Sequence, residues 1–148
     1  IYHMSDCPDI WKSLGLKEVS PRQLSPLVLA YIGDSIFDLV VKTMIVTKGN
    51  TQVNKMNRVA SSIVKAESQS KMIGYLEDKL TEEEESVYKR GRNAKSYTSA
   101  KNASISDYRR ATGFEALMGY LYMSGRYERM CELIKDALDY LESERNSK

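Results

Sequence analysis

Apolar side chains fall on every side of a helical wheel in the segment LVLAYIGDSIFDLVVK, residues 27–42, where ten of sixteen side chains are large and apolar. That pattern predicts a helix buried all round, yet Asp34 and Asp38 sit one turn apart in its middle. Ser25 supplies an N-cap and Pro26 a first helical residue, so the helix runs from 26 to about 48, where Gly49 and Asn50 stop it. Residues 52–76 carry a weaker stripe through Val53, Met56, Ile63 and Ser70, with a polar middle, and predict one helix that Gly74 can break. Thr81 and Glu84 have capping-box spacing ahead of a helix ending at Gly91. The glutamates at 82–85 favour the positive end of that helix's dipole. Consecutive helical residues point in different directions, so this run reads as a solvated helix start and not as a metal site.

A polar stretch at 92–104 follows, and two long amphipathic helices then occupy about 104–123 and 127–144, joined at Ser124 and Gly125. No run of β-branched residues alternates, and no Asn-Gly or Asp-Gly hairpin is present. The expected fold is all-α, with five or six helices. At 148 residues the chain is one domain by length, able to bury a core without staples. Residues 1–4, IYHM, read as an expression remnant, leaving 5–148 as the domain.

Composition narrows the chemistry. With 42% apolar and 28% charged residues, and no apolar run near the roughly 20 needed to cross a bilayer, a soluble cytoplasmic protein is expected. Cys7 and Cys131 lie far apart and read as reduced thiols. His3 is the only histidine and falls in the remnant, which excludes Ser-His-Asp triads, Cys-His dyads and zinc-histidine hydrolysis. Any catalysis must rest on carboxylates, lysine, hydroxyls or a hard metal bound through oxygen.

The net charge of +2 is unevenly spread. Lys89, Arg90, Arg92, Lys95, Lys101, Arg109 and Arg110 face one acid, Asp107, within the same stretch. Such a segment suits a phosphate backbone, though a solvated loop fits the charges equally. The sequence KRGRNAK favours the first reading, because Gly91 permits close backbone approach and the Asn93 amide suits ribose or phosphate. Glu115 poses the same puzzle as Asp34, lying in ATGFEALMGYLY among core-type residues. An embedded acid needs a cation, and a buried salt bridge is the simplest answer. Two such acids on separate long helices can instead share a divalent metal, for which Mg²⁺ is the best match.

Two segments carry a resemblance. LAYIGDSIF, residues 29–37, resembles the signature helix of the ribonuclease III endonuclease domain, and FEALMGYLY, residues 114–122, resembles its second metal-binding helix. The intervening EEEESVYKRGRNAKS is similar to the compact Mini-ribonuclease III branch, which has no separate double-stranded-RNA-binding domain. The likeness covers about residues 24–141 in one order and spacing. It implies an all-α homodimer that cuts double-stranded RNA with Mg²⁺, or Mn²⁺ as a substitute, leaving 5′-phosphate ends. For this branch it implies maturation of the large-subunit (23S) ribosomal RNA precursor at its paired termini, with a large-subunit ribosomal protein as a further partner.

Residue by residue, the resemblance makes Asp34 and Glu115 the catalytic metal ligands; Asp38, one turn further along the same stripe of the helix, is a secondary candidate by position, with pairing to a lysine as its other reading. Tyr31 matches an aromatic position that packs into the partner subunit, although a core tyrosine is an equal reading of the residue itself. Ala30 and Thr112 stand where larger members carry further acids, so the site has fewer direct carboxylates. With no histidine, a water activated by the metal is the expected nucleophile, and the basic segment is expected to hold phosphates by shape rather than by base sequence. The missing acids leave one alternative: a degenerate domain that binds structured RNA without cutting it.

Overall fold

The computed structural model describes residues 10–95 and 104–147. His3, Cys7 and Lys101 lie outside them. Among the described residues the chain forms α-helices and two 3-10 turns, with no strand. The order is α1 (Ile10–Leu14), α2 (Pro26–Val46), α3 (Val53–Val64), α4 (Ala66–Leu76), α5 (Glu82–Asn93), α6 (Ile105–Met123) and α7 (Tyr127–Asn146), with the 3-10 turns at Pro21–Gln23 and Glu77–Lys79. No helix is long and apolar enough to cross a membrane among the described residues.

Two of the caps are those the sequence marks: Ser25 accepts from the Val28 amide ahead of Pro26, and Thr81 with Glu84 closes a reciprocal capping box. Ser104, which accepts from the Asp107 amide, caps α6 as well. Two boundaries differ from expectation. The helix predicted over 52–76 is two helices, separated at Lys65, whose extended backbone (ψ 154°) ends α3 and starts α4. Gly74 does not break it and lies inside α4, beneath the Arg110 guanidinium. The helix expected to stop at Gly91 runs on to Asn93.

Helix α6 is the centre of the molecule. Ten of its residues are buried, and α2, α4, α5 and α7 all pack against it. Phe37 of α2 and Phe114 of α6 meet edge to face at 5.1 Å, a favourable aromatic geometry, and both are fully enclosed. The α2–α6 interface is the largest, and it is unusually close. A methyl group on Gly33 would overlap the Glu115 carbonyl, and one on Gly119 would overlap the Leu29 carbonyl. Only glycine permits two helix backbones to touch in this way. Gly91 plays the same part between α5 and α6, where an added Cβ would lie 2.7 Å from the Ala116 Cβ. It is therefore a packing glycine, and not a point of backbone approach for a ligand.

Helix α2 is not buried all round. Leu29, Ala30, Gly33, Phe37 and Val41 face the core, while Leu27, Val28, Tyr31 and Leu39 are exposed, Tyr31 to 81%. The expected solvated glutamate run is also only partly exposed. Glu84 is buried and receives two hydrogen bonds of 2.8 Å from Arg129, which hold its carboxyl below the usual range. Glu83 accepts from the Tyr120 hydroxyl and pairs with Arg126 and Arg22, fastening α5 to α6 and to the Pro21–Gln23 turn.

Candidate active site

Asp34 lies on α2 one residue after Gly33, and Glu115 lies on α6 at the carbonyl that Gly33 abuts. The backbone contact at Gly33 thus brings the two acids to one place. Their carboxyl groups come within hydrogen-bonding reach of each other. Asp34 opens to solvent, whereas Glu115 is largely enclosed. Burial, and then the neighbouring Asp34, push the Glu115 carboxyl up to about 8. In the absence of a cation the Glu115 carboxyl therefore keeps its proton near neutral pH.

A third side chain reaches this point from α4. Gln69 is buried, and its Nε2 donates to the Val64 carbonyl at 2.7 Å and to Glu115 Oε2 at a long 3.5 Å. Sequence reading missed it, because it noted only a polar middle to this helix. The available signal was the consecutive polar run Ser68, Gln69 and Ser70, all three of which are buried.

The other expected site residues are placed as follows. Asp38 forms a 2.9 Å ion pair with Lys42, one turn along its own helix. No group of three or more Asp, Glu, His or Cys side chains arranged for a metal occurs among the described residues. Thr112 donates its hydroxyl to the Tyr108 carbonyl of its own helix at 3.0 Å, and Ala30 is part of the core. Neither offers a carboxylate in place of a missing acid. Tyr31 lies on the exposed apolar face of α2 and is not a core tyrosine.

The basic residues divide into two groups. Lys89, Arg90 and Asn93 line an open groove between α5 and the start of α2, together with Pro26, Glu82 and Glu85. Lys89 is paired there with Glu85 at 2.6 Å, while Arg90 is exposed. Arg92 donates to the Asn93 side chain at 3.2 Å, and Lys95 is exposed where the described part of the segment ends. Arg110 turns to Glu77, at 3.7 Å, and covers Gly74, whereas Arg109 is exposed.

Two acids from distant helices meet at a glycine-mediated crossing within an all-α core, and comparison with known proteins supplies the class to which such a helical domain belongs. The family profile described as Ribonuclease III domain matches residues 27–126. Mini-ribonuclease 3 of Clostridium tetani is 50% identical over 127 residues, spanning 84% of this chain and 84% of its own length. Mini-ribonuclease 3 of Brevibacillus brevis is 46% identical over 124 residues, spanning 84% of this chain and 92% of its own. A crystal structure of a protein from Fusobacterium nucleatum superposes with a TM-score of 0.73 at 26% identity, covering 80% of this chain and 94% of that one. The chain belongs to the ribonuclease III family of endoribonucleases acting on double-stranded RNA, in its Mini-ribonuclease 3 branch.

Proposed function

We propose that this chain is a cytoplasmic, divalent-metal-dependent endoribonuclease that works as a homodimer on RNA duplexes, its natural substrate being the paired termini of the large-subunit ribosomal RNA precursor. The observation that carries the reading is the meeting of Asp34 and Glu115. A carboxyl that retains its proton up to about pH 8 beside a second carboxylate is a site whose charge a divalent cation can balance in the proton's place. The donor set is all oxygen and hard, which fits Mg²⁺ and Mn²⁺. Bound there, the cation supplies Lewis acidity, making a water nucleophilic at neutral pH and offsetting charge that develops on the phosphate.

The chain's own residues do the rest. Asp34, exposed, presents a ligand to the substrate side, and Glu115, enclosed, holds a fixed one behind it. Arg90 and Lys89, at the groove on α5, are suited to phosphates, as are Arg109 and Lys95, while Lys101 completes the basic segment in the sequence. Asp38, already paired with Lys42, is free to serve only if that pair opens. The exposed Leu27, Val28, Tyr31 and Leu39 give α2 an apolar face that an isologous partner would cover, and two sites related by a two-fold axis suit the two strands of a duplex.

One assay decides between cleavage and simple binding. Long duplex RNA, incubated with Mg²⁺, with Mn²⁺ or with chelator, is expected to be cut only with metal. Asp34→Asn and Glu115→Gln are each expected to lower the rate by about 10³-fold while leaving the helical fold intact. A mobility shift with no cleavage under any metal would establish the degenerate RNA-binding reading instead. A ribosomal precursor stem cut no faster than an unrelated duplex, with or without a large-subunit ribosomal protein, would remove the substrate assignment.

A further inference from the structure

Among the described residues, Gln69 holds a buried side-chain oxygen left without a hydrogen-bond partner. Its Oε1 is shielded from solvent and accepts no hydrogen bond, while Nε2 on the same amide is engaged by the Val64 carbonyl at 2.7 Å and by Glu115 Oε2 at 3.5 Å. Leaving such an oxygen orphaned in a core costs free energy, and a glutamine that served only to bridge Val64 would gain nothing from it. Its position gives the oxygen a use. The amide head is the only group besides Asp34 that the structure brings to the Glu115 carboxyl as a hydrogen-bonding neighbour among the described residues.

The two positions at which acids are absent offer no substitute. Ala30 has no polar side-chain atom, and Thr112, whose hydroxyl donates to the Tyr108 carbonyl of its own helix, carries no charge to set against a cation. A site with two carboxylates leaves a divalent cation with most of its hydration shell, since Mg²⁺ prefers six oxygens and keeps waters where the protein supplies few ligands. Those waters need acceptors, and the amide whose Nε2 faces Glu115 carries an unpartnered carbonyl oxygen suited to be one.

We propose that Gln69 is a positioning residue of the divalent-cation site: Nε2 fixes the Glu115 carboxylate, and Oε1 is the acceptor for a water of the hydrated cation. The inference rests on the proposed binding of metal between Asp34 and Glu115. It assigns to α4 a part in the site that the acids of α2 and α6 do not fill. The backbone explains why α4 can reach it, because the extended Lys65 ends α3 and restarts the chain as a helix whose first turns place Ser68, Gln69 and Ser70 inside. Ser68, donating to the Ser62 carbonyl at 2.6 Å, braces that junction. Groups that orient a metal ligand in this way are worth 10- to 100-fold in metal affinity in general, so the effect is measurable.

The test uses the whole chain without RNA and reads Mn²⁺ binding by calorimetry, together with the rise in Tm on adding Mn²⁺. Gln69→Met keeps the volume and removes both amide atoms; it is expected to weaken Mn²⁺ about 10-fold or more and to shrink the Mn²⁺-dependent rise in Tm. Gln69→Glu adds a third carboxylate at the same point. It is expected to lower Tm without metal and to enlarge the Mn²⁺-dependent rise beyond that of the unsubstituted chain, an outcome readable even if the Met variant fails to fold. A Gln69 that is merely structural lowers Tm in both variants and leaves Mn²⁺ affinity unchanged, and that result overturns the inference. If the unsubstituted chain shows no Mn²⁺ binding that Asp34→Asn abolishes, the metal reading itself fails and this inference falls with it. Binding that is normal there and equal in both Gln69 variants removes the inference alone.

Discussion

Glu115 makes the metal-free protein sensitive to pH in a direction opposite to that of a salt-bridged acid. Its carboxyl is pushed up to about 8 by burial and by Asp34, with Gln69 opposing the shift weakly. The folded state therefore binds more protons than the unfolded chain between the ordinary carboxylate range and pH 8, and stability falls as pH rises through that window. Without metal, Tm is expected to decline from pH 5 to pH 8 by this group's contribution, and Glu115→Gln to flatten the decline, as thermal melts across pH will show. Added Mn²⁺ is expected to restore most at the alkaline end, where no proton has to leave to make room for it. Glu84 acts with the opposite sign. Arg129 holds its carboxyl low, so its contribution is present above the ordinary carboxylate range and fades only as the solution becomes strongly acidic.

At the scale of helices, the crossing of α2 and α6 sets the site. Gly33→Ala places a methyl group against the Glu115 carbonyl, where backbone cannot yield as a flexible side chain would. The expected loss is about 3 kcal/mol or more, measured by denaturant unfolding, with cleavage reduced in the folded fraction as well because the acids move apart. How much of this was legible in the sequence varies with the kind of signal. Ser25 and Thr81 announce their helices because capping is a local hydrogen bond between near neighbours. Asp34 and Glu115 stand out because charge inside an apolar pattern is itself anomalous, and the resemblance of the flanking residues gave them a role. The break at Lys65 carries no Gly or Pro, so nothing local reports it. The enclosure of Gln69 depends on a residue 46 positions away, and that of Glu84 on one 45 positions away, distances over which a helical wheel says nothing.

For the molecule as a whole, one face of α2 is the unfinished part. Leu27, Val28, Tyr31 and Leu39 remain exposed on a helix whose opposite face is the most tightly packed in the fold. An apolar face of this kind suits the association surface proposed above. If it joins two copies of the chain, Tyr31→Arg is expected to weaken dimerisation by about 30-fold or more, the effect of losing an aromatic anchor. Sedimentation velocity across a dilution series would register the change as a shift to monomer, with cleavage falling in parallel. The apolar pattern all round this helix, read from sequence as complete burial, holds for the face turned to α6 and fails for the face that carries Tyr31 and Leu39.

The glycine contacts between α2 and α6 have one more consequence. Where two main chains touch directly, the separation of the functional groups they carry is fixed by peptide geometry and owes nothing to the size or rotamer of any intervening residue. A change of side chain elsewhere in the interior acts on the spacing of the acids only by moving the two helices themselves, because the contact between them is main chain against main chain.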